Sequence, residues 1–556
     1  MPSESLHDEE KQSPSDAKLA TEPVEYPPVA KRILIMVALY LTMFLITLVS
    51  ITIEALACTL LTITQDQNII ATAIPRITDE FHSIDDIGWY GSAYLLTTCS
   101  FQLLMGKVYK HYPAKPLFLA GVFLFEVGSA ICGAAPNSTA FIVGRAVAGL
   151  GASGLFSGVM VIMFYTIPLQ QRPLWQGAAG ALFAVASVIG PVVGGAFTDN
   201  ITWRWCFYLN LPIGGVSIIV SIFLIHLPNQ KLESPAKSFL GKIQQLDPIG
   251  NLAFFPGVIC LILALQWGGT RYAWSNGKII ALLIVCIVLV AVFIGIQVWK
   301  KEEATVPPRI ITQRSIASAM FFCFFNGAGM MVLMYYLPIW FQAVKGASAV
   351  HSGLMLLPTV LSVVVASIAS GIIISRVGYY APFYIASSVL TPIGAGLMCT
   401  FTPLTSKGMW IGSQILLGFG FGLGAQQHMN VVQTVLERSD IAVGSAVVMF
   451  VRFLGSAVFI PIAQNIFLQD LISKLTALPG VDAEKIVKGG ATELRSLVSG
   501  HELEQLLTYY NASIVRVFYI VVGTCAVTIF ASVCVEWRSL KAKAKDEAEA
   551  GKPVSK

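Results

Sequence analysis

The sequence predicts an all-α membrane protein that crosses the bilayer many times, and three observations support this fold class. Hydrophobic residues make up 55% of the 556 residues and charged residues only 12%, and the mean hydropathy of +0.72 lies far outside soluble globular composition. The apolar residues are grouped in runs of about 20, the length at which a helix crosses the hydrocarbon core. The charged residues are concentrated in the tails and in the loops between those runs.

Fourteen apolar runs are long enough to be membrane spans. The first starts near residue 33, and the others lie at about 88–106, 116–134, 140–163, 174–197, 206–227, 248–267, 278–299, 316–340, 352–374, 381–401, 409–428, 442–467 and 514–535. Most basic residues fall on one side of the membrane if both termini are cytoplasmic, so the positive-inside rule predicts that orientation. Residues 1–30 are acidic and rich in Ser and Pro, which predicts a disordered tail rather than a signal peptide.

Three ionisable residues inside the apolar region are candidates for proton coupling: Arg145, Asp66 and Glu126. An unpaired charge at the bilayer centre costs roughly 2.5–3.5 kcal/mol on insertion scales, so we expect Arg145 to face a protein interior or a water-filled path. A carboxyl group that alternates between a neighbouring cation and a dry environment can load and release a proton. Plainer interpretations stay open. Arg145 could bond only backbone carbonyls, Asp66 could cap a helix, and Glu126 could face a polar interior.

The fifth predicted span carries several glycines and a proline, which indicate close helix packing and a bend. They are Gly177, Gly190, Pro191, Gly194 and Gly195. Glycines allow neighbouring helices to approach closely, and Pro191 lacks the backbone N–H that a regular helix would use. We interpret this segment as a packing and hinge element rather than as a substrate contact.

A further group of candidate residues, all of them polar, predicts the lining of a substrate cavity. These residues are Gln426, Gln427, Asn430, Asn326 and Arg452. Asn326 follows a run of phenylalanines that suits an apolar, ring-bearing substrate, although a core or lipid-facing role fits the sequence equally well. His428 lies between Gln427 and Asn430, and we interpret it as a packed polar residue rather than as a proton relay.

Several strings in residues 66–215 are specific enough to indicate a family. They are DQNIIATAIPRITDEFHSIDDIGWYGSAYLL, GRAVAGLG, GPVVGG and WRWCFYLNLPIGG, and ALQWGG and RFLGSAVF continue the pattern more loosely. The chain resembles the fungal fourteen-span drug:proton antiporters of the major facilitator superfamily. The resemblance implies the major facilitator fold, with two six-helix bundles plus two extra helices and about 14 transmembrane helices. We expect a cytoplasmic tail at 1–32, an N-terminal bundle at 33–227, a linker with the two extra helices at 228–315, a C-terminal bundle at 316–537 and a tail at 538–556.

The chain departs from the family pattern at three places. Lys110 occupies a loop position where relatives carry an Asp, which argues against the ion pair that locks one state in those relatives. Ala186 replaces one glycine of the fifth span. In the first span, Val49–Gln65 separates Leu48 from Asp66, whereas in relatives the corresponding Leu and Asp are adjacent. This apolar region is therefore about twice the length of one crossing. The segment starts Val-Ser and ends in Gln, which GTAAGT and CAG can encode, and we favour a retained intron over a real insertion.

The resemblance implies a proton-coupled efflux transporter, an antiporter that exports apolar small molecules such as a fungal secondary metabolite, a toxin or drugs. A proton-coupled importer, for example a siderophore-iron symporter, is the second hypothesis and would be expected to lack GPVVGG. A multispanning enzyme is the third. The seven histidines are scattered and there is no Walker A string, so we expect neither an enzyme nor an ATP-driven pump.

These inferences set the remaining expectations. We expect no cofactor, and we expect no metal because the ten cysteines show no CxxC and no metal-ligand spacing. We expect no nucleic-acid partner, because the net charge of +5 is carried by tails and loops. The partners are protons, an apolar substrate and the bilayer, and we expect a monomer. The plasma membrane is the expected location, with a vacuolar or vesicle membrane as the alternative. Three glycosylation candidates fall on the outer side of this topology: Asn137, Asn200 and Asn511.

Overall fold

The computed structural model describes residues 33, 74–81, 86–180, 197, 201–224, 227, 238–269, 271–476 and 501–550. Apart from two isolated β-bridges, the regular structure in these residues is helical. The early helices are α1 (Ile74–Phe81), α2 (Ile87–His111), α3 (Ala114–Ala134), α4 (Ser138–Thr166), α5 (Trp205–Tyr208) and α6 (Asn210–Leu224). Residues 172–180 are also helical.

The helices of the middle region are α7 (Phe239–Gln245), α8 (Pro248–Trp267), α9 (Gly277–Lys300) and α10 (Pro308–Ile311). The later helices are α11 (Arg314–Ala343), α12 (Ala349–Leu354), α13 (Leu357–Val377), α14 (Ala381–Met398), α15 (Lys407–Gly424), α16 (Gln427–Val435), α17 (Ile441–Leu475), α18 (His501–Cys534) and α19 (Leu540–Ala550).

Local signals explain where several of these helices begin. The side chain of Asn137 accepts a hydrogen bond from the Ala140 N–H and caps α4, and Asn276 and Ser406 cap α9 and α15 in the same way. Asp247 caps α8, and Pro248 follows at the first helical position, where its missing N–H costs nothing.

Eleven helical segments in the described residues are long and apolar enough to cross a membrane. Their bounds follow the predicted spans closely in places: the run at 140–163 is Ser138–Thr166, and the run at 278–299 is Gly277–Lys300. Helix α2, which carries Lys107 and Lys110, is not among the eleven. The first predicted span lies mainly outside the described residues and the fifth is described only in part, so the total of fourteen stays a prediction.

Two predicted spans differ from the structure. The run at 409–428 is interrupted, because α15 ends at Gly424 and α16 starts at Gln427. Together, α15 and α16 extend to Val435. The run at 514–535 is the second part of a longer helix, His501–Cys534, whose first turns carry Glu502 and Glu504 and escape an apolar search.

Helix α17 holds the early and late parts of the chain together. Its residues Ala442 and Met449 join an apolar cluster built mainly from α2, α3 and α4. Val443 and Val447 belong to another cluster with residues of α8, α11 and α16. The middle pair, α8 and α9, packs on α2 and α17 through α8, whereas only 11% of the most apolar part of α9 is buried. Helix α9 therefore presents most of its surface to lipid.

Candidate functional site

Arg145 lies on α4 and is fully buried, as the cost of inserting its charge predicts. Its Nε donates a hydrogen bond to the backbone oxygen of Tyr90 at 2.9 Å, and its guanidinium carbon lies 4.4 Å from the centre of the Tyr94 ring. Both tyrosines belong to α2, so Arg145 connects α4 to α2. Asp66, the carboxylate predicted as its partner, lies outside the described residues.

The glycines of GRAVAGLG explain how α4 comes so close to its neighbours. A Cβ on Gly149 would lie 2.3 Å from the backbone oxygen of Tyr94 on α2. A Cβ on Gly144 would lie 2.8 Å from the Cys132 sulfur on α3. Side chains at these positions would push the helices apart, so the small residues place the Arg145 guanidinium within reach of α2.

Glu126 occupies a different helix contact. It is buried on α3, and a Cβ on Gly214 would lie 1.8 Å from Glu126 Oε1, so the carboxyl group packs directly against α6. Neither carboxyl oxygen makes a hydrogen bond within the described residues. Glu126 therefore lies at the α3–α6 contact, whereas Arg145 lies at the α2–α4 contact.

Three of the predicted cavity residues, Gln426, Gln427 and Asn430, lie at the break between α15 and α16. Gln427 is largely satisfied by the protein, because its Nε2 donates to the backbone oxygen of Leu423 at 2.7 Å and its Oε1 accepts from Asn430 Nδ2 at 2.8 Å. In contrast, Gln426 Oε1, His428 Nε2 and Asn430 Oδ1 are buried and make no hydrogen bond within the described part of the chain. A broken membrane helix of this kind leaves polar groups available at mid-depth.

Arg452 on α17 packs on α11, the helix that also contacts the break. Its Cγ and its backbone oxygen would lie 2.9 Å and 2.8 Å from a Cβ on Gly327 of α11, and a Cβ on Gly424, at the end of α15, would lie 2.9 Å from Phe322 Cζ on the same helix. Asn326, the residue before Gly327, is buried. Arg452 and the α15–α16 break therefore both contact α11, and the role of these residues as a cavity lining stays a prediction.

The end of the bundle where α2 ends and α17 begins carries a buried ion cluster, which we call the Asp440 cluster. Asp440 is fully buried, and its carboxylate lies 3.4 Å from Lys110 Nζ and 2.6 Å from Arg309 Nη2. Arg309 also pairs with Glu302 at 2.8 Å. Lys110, at the position where relatives carry an Asp, thus forms a different ion pair, with an aspartate from the late part of the chain.

Asp247 organises the middle region next to that cluster. Its carboxylate accepts from Lys300 Nζ at 2.8 Å, Gln297 Nε2 at 3.1 Å, Thr305 Oγ1 at 2.9 Å and the Gly250 N–H at 3.0 Å. Burial alone would raise the pKa of Asp247, but these hydrogen bonds outweigh it and hold the pKa at about 2. The backbone of Asp247 is left-handed, with φ of 51°, which aims the side chain at all four donors.

Little in the sequence indicates these charged groups. Asp440 precedes an apolar run and could be recognised as a helix start, but nothing in the pattern connects it with Lys110, 330 residues earlier. Arg309 lies between two apolar runs, where a basic residue indicates only the side of the membrane. Asp247 has the clearest signal, because Asp-Pro before an apolar run is typical of a capped helix.

Gly177 is the part of the predicted hinge that the structure describes. A Cβ on Gly177 would lie 2.3 Å from the backbone oxygen of Ser367 on α13, so segment 172–180 and α13 are in close backbone contact. A Cβ on Gly180 would lie 3.1 Å from Gln426 Nε2. This contact brings the segment next to the α15–α16 break. The other predicted residues outside the described chain are Gly190, Pro191, Gly194, Gly195 and Asn200.

Two glycosylation candidates can be placed. Asn137 is exposed at the start of α4, where its side chain caps the helix. Asn511 lies inside α18 and is buried: its Oδ1 accepts from Trp340 Nε1 at 2.7 Å and its Nδ2 donates to the Phe401 backbone oxygen at 2.9 Å. Both ends of this buried amide are bonded to other parts of the bundle, so in this conformation Asn511 is a structural amide.

Comparison with known proteins identifies the family. A sequence profile described as Major Facilitator Superfamily matches residues 55–460. The chain belongs to the Major Facilitator Superfamily. It is 51% identical over 503 residues to the MFS-type efflux pump MFS1 of Arthroderma benhamiae, covering 90% of this chain and 94% of that protein. It is 47% identical over 478 residues to the efflux pump aflT of Aspergillus parasiticus, covering 86% and 93%.

A solved structure supports the same fold. The proton:xylose symporter XylE is similar with a TM-score of 0.57 over 92% of this chain and 99% of that one, at 12% sequence identity. These findings confirm the major facilitator fold and the fungal efflux family that the motifs indicate. The chain is thus a multi-span membrane transporter of the MFS efflux class.

Proposed function

We propose that this MFS transporter exports apolar small molecules, a fungal secondary metabolite or toxin among them, in exchange for protons. In this proposal it acts as a monomer in the plasma membrane with both termini cytoplasmic. The observation that carries the proton coupling is the buried charge of Arg145 on α4, held against Tyr90 and Tyr94. A permanent cation in the interior favours a nearby carboxylate in its charged form and therefore favours proton release.

In this scheme Asp66 is the carboxylate that Arg145 acts on, and Glu126 is a second proton-binding group in a dry contact. Alternating exposure of the cavity to the two sides changes the hydration of the carboxylate beside this cation, and each exposure to the outer side reloads the proton. The driving force is sufficient, because each pH unit supplies about 1.4 kcal/mol and each 100 mV about 2.3 kcal/mol. Gly177 and the Gly-Pro segment after it allow the helices to move.

The test is transport by the purified full-length chain in proteoliposomes, with a neutral fluorescent aromatic compound as probe. The direction of an imposed pH gradient should set the direction of probe movement, and a protonophore should abolish accumulation. Arg145→Ala should insert and fold but lose gradient-driven transport by at least tenfold. Glu126→Gln should reduce proton movement per probe molecule while probe binding is retained.

A matched control is Arg271→Ala, which removes an exposed arginine from the loop between α8 and α9. It should transport at the wild-type rate. Probe movement that ignores both the gradient and the protonophore would contradict proton exchange. If Arg145→Ala transports the probe as fast as Arg271→Ala does, Arg145 has no part in the coupling mechanism.

A further inference from the structure

The break between α15 and α16 presents several unmatched polar atoms in one small region. Helix α16 starts at Gln427, and the preceding Gln426 makes no side-chain cap to its first turn. His428 is only 2% exposed, yet its Nε2 makes no hydrogen bond within the described residues, and Gln426 Oε1 and Asn430 Oδ1 are in the same situation. A buried polar group without a partner is costly, so these atoms favour binding of a polar ligand group or water.

Arg452 adds a positive charge to the same region. Its side chain is half-buried, and no ion pair or hydrogen bond of its guanidinium joins it to another described residue. Arg452 packs on Gly327 of α11, and the break contacts the same helix through Gly424 and Phe322, about one and a half turns away. Arginine stays charged in proteins, and its planar fork matches a carboxylate with two parallel hydrogen bonds. The uncapped start of α16 contributes further N–H donors and a dipole that favours negative charge.

Aromatic side chains lie on the helices that meet at Arg452. Phe453, the next residue of α17, packs on Phe156 of α4 with 5.3 Å between ring centroids, so Arg452 lies where α17 meets the early helices. About two turns further along α17, Phe459 contacts Phe324 and Phe325 of α11 at centroid distances of 6.0 Å and 6.1 Å. The α11–α17 contact that holds Arg452 therefore also carries aromatic side chains.

We propose that Arg452, His428 and the start of α16 form a binding site for an acidic oxygen carried on an apolar ring body, that is, a carboxylate or an ionised phenol. This inference rests on the proposed export function and specifies its substrate class. The Arg452 guanidinium binds the anion, His428 Nε2 and the α16 N–H groups complete its hydrogen bonds, and the phenylalanines contact the rings. An uncharged amide of the same ring system gains the ring contacts but not the charge pairing.

The experiment compares pyrenebutyrate with its carboxamide, which has the same rings and no charge at neutral pH. Binding to the purified full-length chain is measured by fluorescence titration. The wild type should bind the carboxylate at least tenfold more tightly than the carboxamide. Arg452→Met should weaken carboxylate binding by at least tenfold and leave carboxamide binding within twofold. Arg452→Lys should retain part of the preference, because it keeps the charge without the fork.

Two further variants make the test decisive. Arg271→Met removes a positive charge from the exposed α8–α9 loop and should leave both affinities unchanged. His428→Phe keeps the ring and removes Nε2, and should weaken the carboxylate by threefold or more. If Arg452→Met does not fold, as judged by its melting temperature and gel filtration, Arg452→Lys and His428→Phe decide the question.

The proposal is overturned if the wild type binds both probes equally, or if the Arg452 and His428 variants weaken both probes by the same factor. Its failure is distinguishable from failure of the export function. Gradient-driven movement of the carboxamide without preference for the carboxylate would overturn only the anion site. Absence of any gradient-driven movement, with normal binding of the carboxylate, would overturn proton-coupled export and leave the site in place.

Discussion

At the scale of single residues, the buried carboxylate of Asp440 faces two cations from different parts of the chain. Lys110 comes from the end of α2 and Arg309 from α10, so one side chain connects an early helix, the middle region and α17. Charged groups with no counterpart are costly when they are buried, whereas this arrangement gives each cation an anion. The cluster therefore stabilises the state in which α2 and α17 are in contact.

Asp440→Asn should open this contact. The amide cannot balance Lys110 and Arg309, and we expect a loss of about 1–3 kcal/mol, below the value for a fully buried pair because Arg309 is 42% exposed. The readout is maleimide labelling of a cysteine at Ala446, which packs against Gly106 of α2, in a chain without other reactive cysteines. Labelling should be several-fold faster in Asp440→Asn.

The matched control for that experiment is Asp470→Asn. Asp470 also has ion pairs, with Lys474 and Arg516, but it lies near the opposite end of α17. This variant should lower the melting temperature without changing the labelling rate at position 446. Equal acceleration by both variants would mean that the cysteine reports general destabilisation rather than opening at the Asp440 cluster.

Asp247 makes a second residue-scale prediction, about pH. Its folded-state pKa of about 2 lies below the ordinary value, so its contribution to stability is complete above about pH 4 and is lost as the pH falls toward 2. The shift corresponds to roughly 2–3 kcal/mol at neutral pH. Asp247→Asn should lower the melting temperature at pH 7, and the difference from wild type should shrink between pH 4 and pH 2. A difference that stays constant over this range would contradict the assignment.

At the scale of helices, segment 172–180 and α13 are held together by close backbone contact. Gly177→Ala would place a Cβ 2.3 Å from the Ser367 backbone oxygen, which cannot be accommodated without moving one helix. We expect transport to fall at least tenfold, because this contact must form and break with each cycle in the proposed mechanism. Gly396→Ala is the control: no heavy atom lies within 4 Å of its added Cβ, and it should transport within twofold of wild type.

The helix scale also shows what a sequence can and cannot predict. Apolar runs gave the bounds of α4 and α9 to within a few residues, because lipid demands continuous hydrophobic helices. The apolar pattern does not predict the break before Gln427, because a short interruption changes the mean hydropathy of a run very little. The polar residues at the break were nevertheless recognised as cavity candidates, because glutamine, histidine and asparagine are rare at membrane depth. Pairing across 330 residues, as in Lys110 and Asp440, leaves no local pattern at all.

At the scale of the whole molecule, the middle region contacts both the early and the late helices. Asp247 joins the start of α8 to the end of α9 and to Thr305, which fixes the short segment that carries Arg309. Lys107 of α2 donates to the backbone oxygen of Glu303 in the same segment. The pair α8 and α9 is thus connected to α2 through Lys107 and to α17 through Arg309, and its position depends on the contact between α2 and α17.

The last prediction concerns the number of crossings, which sets the orientation of the whole chain. If Leu48 is joined directly to Asp66, residues 33–48 contribute 16 residues and residues 66–74 contribute 9. Together they form a continuous run of 25. Such a helix is about 38 Å long and fits one crossing, with Asp66 in its second half. With Val49–Gln65 retained, the same region has 42 residues and Glu54 in its interior. We therefore expect the chain lacking this segment to insert with higher yield and to export the neutral probe at least as fast.

Sequencing the mature transcript tests the cause directly, and a tag at the N-terminus tests the consequence. If the segment is an intron, most transcripts should lack codons 49–65, and the tag of the shortened chain should be protected in sealed, right-side-out vesicles. Transcripts that keep those codons, together with a full-length chain that exports well and a shortened one that does not, would refute the splice explanation. Glu54 would then lie in a functional first span, and Glu54→Gln would become the variant to compare with Arg145→Ala in the proton-coupling assay.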